Sequence, residues 1–260
     1  YQMTGIIGLG FVGGAMLKSF KLKKIDVIGY DKFKESNSFE EILKTNIVFL
    51  CLPTLFDEEK NIYNKDAIHD VCKQLDGYDG IVVIKSTVEP ETTNKLSGMY
   101  KLKFIHNPEF LTARTAFEDF HNQKHIVLGK GPNCDDVSDV YDLYSKNYLE
   151  ASISVCNCLE SESMKIFCNS FYASKVMLFN EYYMLCNKNG SDFNKIKELM
   201  LKNNWINEMH TTVPGLDGQL GYGGACFPKD TKALNEYMKT LGTPNQVLES
   251  VIKQCELIRK

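Results

Sequence analysis

Over the first 158 residues, short apolar runs rich in Val, Ile and Phe alternate with stretches whose apolar positions recur every three or four residues. That alternation predicts a mostly parallel sheet covered by helices on both faces. The expected strands are 4–8, 26–30, 47–52, 80–85, 103–105, 125–129 and 153–155. The helices expected between them are 11–20, 38–43, 65–75, 90–96, 113–120 and 134–145. After Cys158 the period changes. Residues 160–189 hold neither Pro nor Gly, and Met164, Phe167, Phe171, Val176, Phe179 and Tyr183 fall near helical spacing, so one long helix or two collinear ones are expected. Its apolar positions exceed what one core face requires, and burial against a second subunit follows as an expectation. Gly190 closes this helix, another begins over 193–201, and a glycine-rich loop over 211–228 leads to helices near 230–240 and 245–260. The division expected is an α/β domain over 1–158 and an all-helical domain over 159–260.

The run Gly8-Leu9-Gly10-Phe11-Val12-Gly13 sits between the first strand and the first helix. In that context G-x-G-x-x-G has a mechanical reading. Gly8 permits the tight turn, Gly10 lets the backbone approach a pyrophosphate, and Gly13 permits close packing of helix on strand. Phe11 and Val12 open the helix whose free N–H groups hold the anion. Asp31 ends the next strand and is placed to accept from adenine-ribose hydroxyls, which favours NAD over NADP; Lys32 and Lys34 follow at once and temper that preference. Nothing further along resembles a second flavin segment. The expected architecture is thus α/β, a Rossmann-like doubly wound sheet followed by a helical central domain that dimerises. Pro53, Thr54, Ser86 and Thr87 end two later strands on the side where such sheets bind ligands, with Thr87 in position to hold a water near the nicotinamide.

Composition narrows the remaining classes. A hydrophobic fraction of 43% and a charged fraction of 24% are those of a soluble globular protein. Thirty basic against 33 acidic residues make no electrostatic case for nucleic acid or an anionic membrane, and no apolar run has the length of a membrane span. The nine cysteines are scattered and odd in number, with no C-x-x-C pair, so reduced thiols in a cytoplasmic setting and no metal site are expected. Cys51, Cys72, Cys168 and Cys186 read as buried small hydrophobes. The chain opens at Tyr1, with Met3 the expected natural start, and 245–260 reads as a helix that stops without a Gly or Pro cap, as in a truncated or unusually short protein.

Reaction chemistry concentrates in residues 213–230, where five glycines precede Cys226. That cysteine lies just before an expected helix N-terminus with Lys229 nearby, two local reasons for a lowered thiol pKa. A dinucleotide that accepts hydride turns an alcohol into an aldehyde. Cys226 can add to that aldehyde, a second hydride transfer gives a thioester, and water releases an acid. Lys165 and Asn169, four apart on the long helix, can donate to the oxygen that carries negative charge. Glu162, one turn before Lys165, either orients it or forms a surface pair. Glu109, in the loop Asn107-Pro108-Glu109-Phe110-Leu111, is a carboxylate placed to manage protons.

Together these segments, 8–13, 85–88, 107–111, 162–169, 180–181 and 213–230, resemble the nucleotide-sugar dehydrogenase family in order and over nearly the whole chain. The last block is the most specific. The resemblance implies that Cys226 is the thioester nucleophile, that Lys165 and Asn169 are its oxyanion partners, and that Glu109 handles protons. It also implies that Asp230 and Thr87 position or activate water. Phe110, Leu111, Lys165, Asn169, Gly223, Gly224 and Lys229 would then touch the substrate. The implied conversion is UDP-glucose with two NAD and water to UDP-glucuronate, in a homodimer joined through the long helix. GDP-mannose or a UDP-N-acetylamino sugar is the alternative substrate. Further alternatives are a β-hydroxyacid dehydrogenase, which needs no cysteine nucleophile, and a non-catalytic module that has kept the fold. Three departures stand out: Ala113 occupies the place of the family's second glutamate, the stretch from Asp31 to Ile47 is short, and the second α/β domain that closes over the uridine diphosphate has no counterpart.

Overall fold

In the computed structural model, which describes residues 2–260, the first unit comprises the chain up to Leu55 together with Tyr63–Lys165. Its elements run β1 (Thr4–Ile7), α1 (Phe11–Leu22), β2 (Val27–Tyr30), α2 (Phe39–Ile42) and β3 (Ile47–Leu50). A two-residue pair, β4 (Phe56–Asp57) and β5 (Ile62–Tyr63), follows. Then come α3 (Asp66–Gln74), β6 (Ile81–Ile84), α4 (Thr92–Met99), β7 (Lys103–His106), α5 (Ala116–His121), β8 (His125–Lys130), α6 (Ser138–Asn147) and β9 (Ser152–Asn157). The sheet order is β2-β1-β3-β6-β7-β8-β9, parallel except where β7 meets β8. Successive side chains of a strand point to opposite faces, so β1, β3, β6 and β7 each feed two cores. Ile6, Phe49, Val83 and Ile105 pack with Phe20, Phe120, Tyr144 and Tyr148 on one face. Ile7, Leu50, Val82 and Phe104 pack with Ile42, Ile68 and Leu96 on the other.

The expected strands and helices are present, with local shifts that have local causes. The helix expected at 113–120 opens as a 3-10 turn, Ala113–Thr115, before α5. That start is organised by the Asp119 carboxylate, which accepts from Thr112 N at 2.9 Å and Thr115 Oγ1 at 2.8 Å. The helix expected from residue 134 starts only at Ser138, whose N–H is capped by Asp136 Oδ1 at 2.9 Å. The pair β4–β5 carries too few residues to show a period and was not expected. Cys72 and Cys186 are buried as the pattern implied, whereas Cys51 and Cys168 are only partly so.

The second unit comprises Phe56–Ile62 and Ile166–Lys260. Its elements are α7 (Cys158–Asn189), which begins in the first unit, then α8 (Phe193–Leu201), α9 (Phe227–Leu241) and α10 (Gln246–Ile258). α7 is a single unbroken helix of 32 residues, and Gly190 follows it with φ +80°. Pro228 sits in the first turn of α9, where its missing N–H costs nothing, so the helix begins at Phe227 rather than near residue 230. Among the described residues no helix is long and apolar enough to cross a membrane.

Gly13 packs α1 on the turn after β1 so closely that a Cβ there would stand 1.7 Å from the Gly8 carbonyl oxygen. The neighbour is backbone and cannot swing away. Gly13→Val should therefore destabilise the first unit by more than about 2 kcal/mol; a urea-unfolding midpoint equal to the parent's would refute the close approach.

Candidate functional site

At the glycine turn, Gly8 N donates to Tyr30 O at 2.9 Å and holds β1 against β2. Gly10 stands at the N-cap of α1 with nothing within 4 Å of where a Cβ would be, and no side chain caps the first turn. That is open space in front of peptide N–H groups, which suits a pyrophosphate. Asp31 accepts from Leu9 N at 2.7 Å through Oδ2 and from Phe33 N at 2.8 Å through Oδ1. Burial alone would raise its pKa, but those N–H bonds and the Lys34 ammonium outweigh it and hold the carboxyl below its ordinary value. A carboxylate oxygen can accept more than one bond, so Asp31 can still take ribose hydroxyls. The residues present fit a dinucleotide. Phe11 is half-exposed beside the turn and Val12 partly buried.

The later strand ends form a buried polar layer. Ser86 Oγ donates to Leu52 O at 2.6 Å, and Thr54 Oγ1 donates to Thr87 O at 2.8 Å, which ties the end of β3 to that of β6. Pro53 is exposed beside them. Both hydroxyls spend their protons on backbone and keep only acceptor capacity for a ligand. Lys85 is 2% exposed; its Nζ donates to Asn107 Oδ1 at 3.1 Å, and the same oxygen accepts from Tyr144 OH at 2.5 Å. Burial pulls the Lys85 ammonium down to about 8.

Glu109 and Lys165 meet in the first unit. Glu109 Oε2 accepts from Leu111 N at 2.6 Å, and Oε1 lies 4.0 Å from Lys165 Nζ, which also stands over the Phe110 ring at 5.1 Å. Both charged side chains are largely buried, so this pair is screened far less than a surface one. Glu162 does not turn to Lys165. It is fully buried and accepts from Thr93 N and Oγ1, both at 2.9 Å, and from Glu91 N at 3.2 Å, capping α4. The reading of Glu162 as an orienting or surface partner is corrected: the free N–H groups at the start of α4 claim it. Burial, against those donors, raises its carboxyl to about 7.

In the second unit Asp230 is the hub. Its side chain is 1% exposed; Oδ2 accepts from Asn169 Nδ2 at 2.7 Å and Oδ1 pairs with Lys229 Nζ at 2.9 Å. Asp230 N donates to Cys226 O at 2.9 Å, so the hub lies one helical turn beyond the partly exposed Cys226. Gly223 and Gly224 precede that cysteine in a loop held from behind. Gly221 N donates to Asn180 Oδ1 at 2.8 Å, Tyr222 N meets Cys255 Sγ at 3.4 Å, and Arg259 bonds both Leu220 O and the Asp217 carboxylate. Sequence reasoning missed Arg259 and Cys255, since neither carries a motif. It also missed His106 and Ser161. His106 Nε2 must donate to the Ser86 carbonyl, at 3.2 Å, so Nδ1 accepts from Ser161 Oγ. A polar residue closing an apolar strand was the available signal. Among the described residues no group of three or more His, Cys, Asp or Glu is arranged to hold a metal ion.

A doubly wound sheet with a dinucleotide turn, followed by a helical unit with a cysteine at a helix start, defines a two-part nucleotide-binding class. The NAD binding domain of the UDP-glucose/GDP-mannose dehydrogenase family matches residues 30–147, and that family's central domain matches 159–256. The chain belongs to the UDP-glucose/GDP-mannose dehydrogenase family, and its cofactor is NAD. It is 31% identical over 237 residues to the UDP-glucose 6-dehydrogenase of Rickettsia prowazekii, covering 87% of this chain and 53% of that protein. The chain thus spans about half the length of the curated relatives it matches. A UDP-glucose dehydrogenase from Pyrobaculum islandicum superposes with a TM-score of 0.84 at 25% identity, over 98% of this chain and 68% of that one. The 3-hydroxyisobutyrate dehydrogenase of Mycobacterium tuberculosis shares the fold, with a TM-score of 0.74 at 16% identity over 97% and 91% of the two chains.

His106 is fully buried, and burial pushes its pKa down to about 3. Unfolded, the imidazole titrates near 6.5; below that pH the unfolded chain takes a proton that the folded chain refuses. The stability this group contributes is present above about 6.5 and is lost as pH falls toward 3. The parent should therefore lose up to about 1.4 kcal/mol per pH unit relative to His106→Gln across that window. Urea titrations of both proteins at pH 7 and pH 5 check this, and parallel losses would contradict it.

Proposed function

We propose that this chain carries the NAD-binding and thiol-bearing parts of an enzyme that oxidises the C6 alcohol of a nucleotide sugar to a carboxylate, with UDP-glucose the substrate and UDP-glucuronate the product. The observation that carries the reading is the Asn169–Asp230–Lys229 group one helical turn from Cys226. A fold alone requires neither a buried carboxylate held by an amide and an ammonium nor a thiol at the adjacent helix start.

NAD would supply the hydride acceptor for each of two oxidations at the sugar carbon. The residues supply the rest. Peptide N–H groups at Gly10–Gly13 hold the pyrophosphate and Asp31 the ribose, with Pro53, Thr54, Ser86 and Thr87 lining the remainder. Cys226 Sγ adds to the aldehyde carbon left by the first oxidation; loss of hydride from that adduct leaves a thioester, and water then displaces the thiol to give the acid. Lys165 and Asn169 donate to the oxygen that gains charge, Glu109 takes and returns protons, and Asp230 and Thr87 orient the water. Phe110, Leu111, Gly223, Gly224 and Lys229 line the sugar. Ala113, exposed at the start of the 3-10 turn, offers no second carboxylate, so Glu109 and Asp230 are the bases left for hydrolysis.

Mixed with UDP-glucose and NAD, the 260-residue chain should form two NADH per sugar acid released. Cys226→Ser should release acid at least about 100-fold more slowly. Acid formed by that variant at the parent rate would remove the nucleophile assignment, and a ratio of one would remove the two-step pathway.

The long helix supports a homodimer. Phe167, Phe171, Leu178, Tyr182 and Leu185 are each 40–64% exposed and recur at helical spacing along α7. Such a stripe is a larger apolar face than a lone helix leaves in water. Sedimentation should give twice the 29.6 kDa chain mass, and Phe171→Glu with Leu178→Glu should shift it to the monomer; a parent that sediments as a monomer at tens of micromolar would end the proposal.

A further inference from the structure

After β2 the chain folds back on itself within a few residues. Asp31 N donates to Ser36 Oγ at 3.0 Å, and Asn37 N donates to Gly29 O at 3.0 Å. This tight loop brings two opposite charges to one residue of the glycine turn: Leu9 N donates to the Asp31 carboxylate at 2.7 Å, while Leu9 O accepts from Lys34 Nζ at 2.6 Å. An acidic side chain in this position rejects a 2′-phosphate by like-charge repulsion, and a cation nearby accommodates one. Here the two are present together. Both Asp31 oxygens are already committed to backbone N–H groups, which draws off part of the negative charge that would face a phosphate, whereas an ammonium bonded once keeps two further N–H donors.

We propose that Lys34 is a selectivity residue, whose ammonium lets the adenine-ribose end of the site accept a 2′-phosphorylated dinucleotide in addition to NAD. The proposal deepens the NAD assignment and rests on it. Lys32 does not share the role, because its Nζ stands over the Phe33 ring at 5.6 Å. Lys34 is exposed, so water and salt screen its charge, and its share of selectivity is on the order of tenfold.

The test is a fluorescence titration of the whole chain with NADH and, separately, NADPH. The two Kd values should lie within about tenfold of each other, and that for NADPH should rise more steeply with salt. Lys34→Ala should weaken NADPH about tenfold and NADH less than about twofold, with Lys32→Ala leaving the ratio unchanged. A parent that binds NADH but takes NADPH more than about a hundredfold less tightly overturns the proposal, as does a Lys34→Ala variant that moves both equally. If the parent binds no NADH, the cofactor assignment itself fails and this inference fails with it, so the NADH arm tells the two failures apart.

Discussion

The first unit is organised around the burial of polar side chains at the carboxyl edge of its sheet. Lys85, Ser86, His106, Asn107 and Glu162 are all withdrawn from water, and a buried polar group left without a partner costs more than a hydrogen bond returns. Each is therefore matched. Asn107 spends its oxygen on Lys85 and Tyr144 and its amide on the Val127 carbonyl. His106 joins the end of β6 to the first turn of α7. The matching leaves little choice of conformation, and the Glu109 loop and Lys165 inherit their places from it.

What the sequence made legible was whatever repeats with a period or breaks it. Four-residue strands buried on both faces read as continuous apolar runs, and the glycines at 8, 10 and 13 with Asp31 read as a dinucleotide turn because each has a separate geometric task. Cys226 stood out in the sequence because a thiol beside a helix start after five glycines is unusual for a structural residue. Glu162 was misread for a physical reason: a carboxylate on a helix is ordinarily solvated, and only the fold reveals that the start of α4 needs an acceptor. The reversal of β8 against β7 was equally silent, since strand direction leaves no mark on alternation. Thr54 and Ser86 were placed by position alone, and the bonds they make to backbone carbonyls depend on strand ends that lie 33 or 34 residues away along the chain.

α7 has to satisfy two different demands along one rod. Its first two turns carry side chains that must be matched inside the α/β unit, among them Ser161, Glu162 and Lys165, while further along it presents aromatic and leucine side chains outward. These requirements cancel any simple amphipathic stripe over its full length, which is why its apolar positions looked excessive for a single core face.

The loop ahead of Cys226 is glycine-rich and would wander if left to itself. It is pinned instead by the far end of α10, where Cys255 exchanges bonds with the Tyr222 backbone and Arg259 grips Leu220 O and Asp217. The last turn of the final helix thus works as a backstop, and the entropy that so many glycines would otherwise retain is removed by residues 33 to 42 positions downstream. Order in this loop is borrowed, and whatever frays that helix end would blur the approach to the thiol without touching a single residue beside it.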